Sequence, residues 1–236
     1  MAITPDIAAA PLESRGPIPR WPAVLLLAHL ALLVILKSSR GIEGELLWIS
    51  HVSLAITAAG FLLRSTQLLA IAFVAIAALH TTWMFDFIVG MTTGSFPVGM
   101  AMYLPQADAW TWLATSHHAY LTPLLALALW GRSVPVMRTF VAAVLLFTYL
   151  AIVSRLVIDP VYNVNRTHHV FLMWDHHFAR NANALPAIRF LPGLIAVVAT
   201  LFFAPSAIAL RFVTRQKPGF IALSKSPRSG GPIAEA

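Results

Sequence analysis

The chain is 236 residues long, 58% hydrophobic and only 11% charged, with a mean hydropathy of +0.77. A soluble domain holds about 45–50% apolar and about 25% charged residues, so these proportions exclude an ordinary water-soluble globule and point to an integral membrane protein. The net charge of +7 does not indicate a nucleic-acid partner, because the basic residues stand singly between apolar runs or gather at the chain ends, and the absence of cysteine excludes disulfides, thiolate metal sites, iron–sulfur clusters and thiol nucleophiles.

Residues 1–20 read as a cytoplasmic tail. No small-residue cleavage site interrupts the apolar run from Trp21 to Lys37, so the first apolar segment is expected to be retained and not removed as a signal. A spanning helix needs about 20 mostly apolar residues. Six segments approach that length: Trp21–Leu36, Leu46–Leu63, Leu68–Val89, Trp110–Trp130, Met137–Ile158 and Ile188–Leu210. Tryptophans Trp21, Trp48, Trp110, Trp112 and Trp130 fall near segment ends, where aromatic rings favour the membrane interface. The expected fold is therefore all-α, a polytopic bundle of six transmembrane helices in one domain over residues 21–210. Two connections, Arg64–Gln67 and Gly131–Val136, are tight. Two others, 90–109 and 159–187, are long. Residues 211–236 read as a disordered basic tail.

Arginine and lysine set the orientation. The side receiving both termini and the two tight turns carries ten: Arg15, Arg20, Arg64, Arg132, Arg138, Arg211, Arg215, Lys217, Lys225 and Arg228. The other side carries six, on longer loops, so both termini are expected in the cytoplasm. The Ala- and Leu-rich style suggests a bacterial source, and hence an inner (plasma) membrane. That orientation places eight of the nine histidines in the extracytoplasmic half, with His29 in mid-helix. Five methionines, Met84, Met91, Met100, Met102 and Met173, join them.

An ionisable group inside a span costs about 2.5–3.5 kcal/mol at the helix centre, so it usually faces a cavity or a partner. Asp86 and Arg155, at similar depth, suit an ion pair between two helices as well as a role at a site. His51 and His29 read as structural hydrogen-bonding residues. His80 is balanced between the two roles. The adjacent His117 and His118 point about 100° apart on a helix, so only one lies centrally on an inward face, and His118 is the stronger candidate. Asn163 and Asn165 follow Asp159-Pro160, where a helix must end, and suit an exit turn. In the loop "RTHHVFLMWDHHFARN", His168, His169, His176 and His177 form two pairs. With Met173 they suggest a soft-metal site such as copper. A solvated loop titrating near neutral pH is the plainer alternative, since no established ligand spacing is present.

Three segments carry a resemblance: "WMFDFIVGMTTGSFPVGMAMYL", "HHAYLTPLLALALWG" and "IDPVYNVNRTHHVF". They resemble a planctomycete-type family of bacterial six-helix integral membrane proteins with a W-x-x-D-F element, an H-x-W-L-P-like element and an N-x-N element. Here these are Trp83, Asp86 and Phe87, then His118, Tyr120 and Leu121, then Asn163 and Asn165. The chain departs at Thr122, which stands before Pro123, and in the double histidines of the loop. A fainter resemblance is to YwaF-like and androgen-induced-type membrane proteins, which implies lipid hydrolysis or acyl transfer.

Three functional readings follow. In the first, a membrane-embedded enzyme acts on a lipid-like substrate at a polar pocket open to the extracytoplasmic side. His118 is then the general base, with Asp86 and His80 as further catalytic residues, and Arg155, Asn163, Asn165 and His117 line the pocket. In the second, a metal or haem is held by the His- and Met-rich outer face. In the third, the protein is a non-catalytic subunit or scaffold whose partners are the lipid bilayer and other membrane subunits. None involves nucleic acid.

Overall fold

The computed structural model describes residues 16–169 and 183–215, which are all-helical with no strand among them. The helices are α1 (Trp21–Ser39), α2 (Ile49–Leu62), α3 (Thr66–Thr93), α4 (Ala109–Thr115), α5 (His117–Leu129), α6 (Val136–Val157) and α7. The last begins as Ala187–Val198, widens to a π-helical stretch at Ala199–Phe203 and continues as Ala204–Arg215. Four of them are long and apolar enough to cross a membrane: α1, α3, α6 and α7. α2, with 14 residues, is about 21 Å long at 1.5 Å per residue, short of a full span.

The expected single segment Trp110–Trp130 is two helices with a break at Ser116. The break has a local cause. The Ser116 Oγ–H donates to Leu113 O at 2.7 Å, and ring nitrogens of His117 and His118 donate to Ala114 O and Thr115 O at 2.8 and 2.9 Å. Side chains thus occupy the three carbonyls that would otherwise carry the helix ladder across this point. The seventh helix also differs from a plain rod. Pro205 has no N–H and its ring crowds the carbonyl four residues back, and the π-helical turn ending at Phe203 makes room for it. The helix runs on to Arg215, beyond the Leu210 expected from hydropathy.

α3 is the central rod, packed by α2, α5, α6 and α7, while α1 leans on α2 and α4. Ser65 caps its start by accepting the Leu68 N–H, and Gly94 ends it in the left-handed region at φ +76. The turn from α2 allows close approach because Gly60 has no side chain, since a Cβ there would lie 2.6 Å from Leu69 Cδ2. α3 and α7 are tied by the Ala78 N–H, which donates to Ser206 Oγ at 2.9 Å. One continuous apolar core runs through the bundle, and a second small one (Trp83, Ala101, Leu104) lies where the 94–108 loop folds back on α3. Outward-facing Leu25, Ile35, Met137, Tyr149, Leu156 and Phe212 are all more than 60% exposed, an apolar surface suited to hydrocarbon.

Candidate metal centre

Five histidines from four helices meet inside the bundle. The rings of His117 and His118 lie 4.2 Å apart by centroid, and His80 lies 4.6 Å from His118 and 5.8 Å from His117. His51 approaches His117 to 5.4 Å and His29 approaches it to 5.5 Å. His51 stands in the first turn of α2 and His117 in the first turn of α5, so both helix starts lie at one level of the bundle, beside the middle of α3.

The hydrogen bonds fix the tautomers. Nδ1–H of His51 donates to Glu45 O at 2.8 Å, that of His117 to Ala114 O at 2.8 Å, and that of His118 to Thr115 O at 2.9 Å. A carbonyl only accepts, so each of these rings carries its proton on Nδ1 and keeps a lone pair on Nε2. His29 is held the other way round, with Nε2–H donating to Ala114 O at 2.9 Å and Nδ1 accepting from the Tyr120 hydroxyl at 2.9 Å. One carbonyl, that of Ala114, therefore receives two imidazoles. Its freedom to do so comes from the helix break at Ser116.

His80 is different. It is 2% exposed, and neither Nδ1 nor Nε2 has a hydrogen-bond partner among the described residues; the Nε2 of His117 is likewise buried and unpartnered. A buried imidazole without partners costs about 1–3 kcal/mol for each orphaned polar atom. His80, His117 and His118 offer ring nitrogens that all lie within 4.8 Å of one another. Around a tetrahedral ion with metal–nitrogen bonds of about 2.0–2.1 Å, ligand nitrogens sit roughly 3.4 Å apart. Small rotations of the three rings close that gap. The backbone carbonyls on the far nitrogens of His117 and His118 match the outer-shell acceptors that orient metal-bound histidines.

The other residues singled out from the sequence are placed elsewhere. The Asp86 carboxylate, fully buried, accepts the backbone N–H groups of Val98 (2.6 Å), Gly99 (3.1 Å) and Ala101 (2.8 Å). It anchors the 94–108 loop. It makes no ion pair with Arg155, whose Nη1 donates to Thr167 O at 2.7 Å, and the group orienting His118 is the Thr115 carbonyl. Asn165 ties three elements. Its Oδ1 accepts the Ile49 N–H at the start of α2, and its Nδ2 donates to Leu47 O and Ser154 Oγ. Asn163 accepts the His168 and His169 N–H groups and donates to His169 O. Both asparagines have positive φ (42° and 54°), a region Asn enters more readily than other residues with side chains. They are the clasp of the exit turn.

His168 and His169 lie partly exposed on that clasp, and His176 and His177 lie outside the described residues. Burial, followed by the Arg155 charge for His168 and the Arg166 charge for His169, holds both imidazoles below their ordinary range. With the folded value depressed, the neutral rings support the loop above the unfolded value of about 6.5, and that support is lost as pH falls through the folded values. The protection factors of the amides over residues 163–169, which are corrected for the intrinsic slowing of exchange in acid, are expected to be lower below pH 6 than at pH 7.5, and the His168→Gln,His169→Gln protein should lose that difference.

The sequence placed His51, His80, His117 and His118 in the extracytoplasmic half with the loop histidines, set His29 apart in mid-helix, and read His29 and His51 as structural; the structure brings these five rings together. Single histidines on helices far apart in sequence leave no spacing signal. No protein-family model, curated protein or solved structure matches the chain, so the reading of this site rests on its own geometry.

Proposed function

We propose that the protein is an integral membrane metalloprotein that binds one first-row transition-metal ion on His80, His117 and His118, with His51 beside them. The observation that carries this is the doubly unpartnered, buried His80 facing two imidazoles whose free nitrogens are already Nε2. Imidazole alone suits zinc, copper, iron or nickel, and three protein ligands leave a position for a substrate, the arrangement of catalytic and not structural sites. An ion fits better than a haem. The cavity at the edge of the cluster is about 210 Å³, below the roughly 300–1,000 Å³ of ordinary cofactor pockets.

The same reading has the chain crossing the bilayer six times. Support comes from the four long helices, from α2 with its lead-in turn, and from α4 and α5, which together with Ser116 make 21 residues, about 30 Å end to end. The excess of arginine and lysine on one side supports cytoplasmic termini.

Purified protein, stripped with chelator and reloaded separately with Zn(II), Cu(II) or Co(II), is expected to retain one ion per chain. The Co(II) form should show the visible bands of a four-coordinate site. The His80→Ala,His117→Ala,His118→Ala protein should retain none. Equal retention by parent and triple variant, or no retention by the parent of any of the three ions, would sink the proposal.

A further inference from the structure

A cleft lies against one side of the centre, with one indole ring between them. Trp83, Met84 and Phe87 of α3 face Trp112, Thr115, Ser116 and Ala119 of the broken α4–α5 pair across the 210 Å³ cleft. The Trp83 indole forms its inner wall. That ring stacks on His118 (4.6 Å, 22° between planes) and on Phe87 (5.5 Å, 13°), so the wall of the cleft is in contact with the imidazole cluster. Phe87 meets Trp112 edge-on at 5.7 Å and closes the far end.

Only two of the lining residues have polar side chains beyond an indole N–H, and both are engaged. The Ser116 hydroxyl donates to Leu113 O at 2.7 Å, and Thr115 Oγ1 pairs with the Tyr103 hydroxyl at 3.2 Å. The Thr115 carbonyl is taken by His118. A polar solute entering here gives up its hydration and receives little in return. A methylene chain gives up nothing polar. Exposed side chains on the same helices are apolar too: Ile88 and Leu113 are 53% and 50% exposed, and Trp112, which lines the cleft itself, 36%. In a bundle that spans a bilayer, such a surface faces lipid tails, so the medium outside the cleft and the lining inside it match.

From this we infer that the cleft takes the hydrocarbon chain of a membrane amphiphile laterally from the bilayer and brings it to the His118 edge of the centre. The substrate class is therefore lipid-like, and the inference rests on the same site as the proposed metal reading. The occupant follows from the engaged hydroxyls and from the continuity of the lining with the lipid-facing surface, not from the volume alone.

The test uses the full-length protein in lipid nanodiscs containing a fatty acid with a mid-chain diazirine, photolysed with and without bound metal, and peptide mapping of the adducts. Adducts are expected to concentrate on Met84, Phe87, Trp112 and Ala119. Ala119→Trp, which fills the cleft and replaces no histidine, should lower them at least about tenfold while monodisperse elution and metal retention stay unchanged. Ala119→Leu is the milder filling variant should the tryptophan disturb folding, and a partial drop is expected from it. Adducts spread at equal density over the outer faces of α1 and α6, or adducts at the cleft that neither variant reduces, overturn the inference. Cleft labelling in a protein that retains no metal leaves the chain site standing and removes the metal reading, so the two fail separately.

Discussion

The His80→Leu protein is expected to lose metal retention by more than about 100-fold, beyond the roughly 10–100-fold typical of outer-shell changes, and yet to be at least as stable as the parent when both are metal-free. The two expectations have one origin. His80 makes no hydrogen bond among the described residues, so its removal breaks none, and it takes away two buried polar atoms that the metal-free fold leaves unsatisfied. Leucine fills a similar volume in apolar surroundings. A gain of about 1 kcal/mol in the metal-free state is the expected size, the lower end of the cost of an orphaned buried group. Isothermal titration with Zn(II) reads the first effect, and unfolding in graded denaturing detergent after chelation reads the second. A structural histidine would behave in the opposite way, losing stability with no change in metal content. His118→Leu is the useful contrast, because that ring also holds the Thr115 carbonyl, and its loss should cost both binding and stability.

The second large effect belongs to Asp86, and it is one of folding. Asp86→Ala leaves the Val98, Gly99 and Ala101 N–H groups without their acceptor, two of those bonds being fully buried. At about 1–3 kcal/mol for each orphaned donor, a loss of more than about 3 kcal/mol is expected. Asp86→Asn should fall between, because one amide oxygen can keep Val98 and Gly99 while the NH₂ group confronts the Ala101 donor. Limited proteolysis should cut the 94–108 loop first in both. The metal content of Asp86→Asn is expected to stay at that of the parent, since no histidine touches the carboxylate. A loss of metal with an intact loop would return Asp86 to the site.

The hydropathy pattern carried the long helices well, because a span is mostly a matter of apolar length. α1, α3 and α6 begin and end within four residues of the expected limits. The break at Ser116 was not legible. It has no glycine or proline at the spot, and it arises from imidazoles and a hydroxyl competing for three carbonyls, one of which also serves a histidine 85 residues away. The π-helical turn in α7 had a visible cause in Pro205, though not a predictable form. For the site, depth grouped eight histidines on one side and set His29 apart, and depth cannot say which rings meet. Asp86 drew a catalytic reading because a buried acid in a span looks purposeful. Its partners are backbone groups, which no residue pattern advertises, although the glycines and proline of "GSFPVGM" marked a loop able to turn its N–H groups inward. Arg155 was expected to pair with Asp86 or to line a pocket, and the two asparagines to form an exit turn or line that pocket. The Arg155 guanidinium bonds the Thr167 carbonyl instead, and the asparagines bond main-chain atoms and, from Asn165, the Ser154 hydroxyl, partners that satisfy polar side chains where no water is at hand.

The Ala114 carbonyl receives His29 from α1 and His117 from α5. Two donors on one oxygen weaken each other. A tilt of α1 that lengthens the His29 bond therefore tightens the bond from the His117 Nδ1–H and draws that ring toward imidazolate character, so an ion, if held at its Nε2, would meet a more basic ligand. α1 is an outer helix, and the tilt of such helices responds to the thickness of the surrounding bilayer. Were the centre to hold an ion within a bilayer, this one shared oxygen would couple its electronic tuning to the thickness of the surrounding membrane.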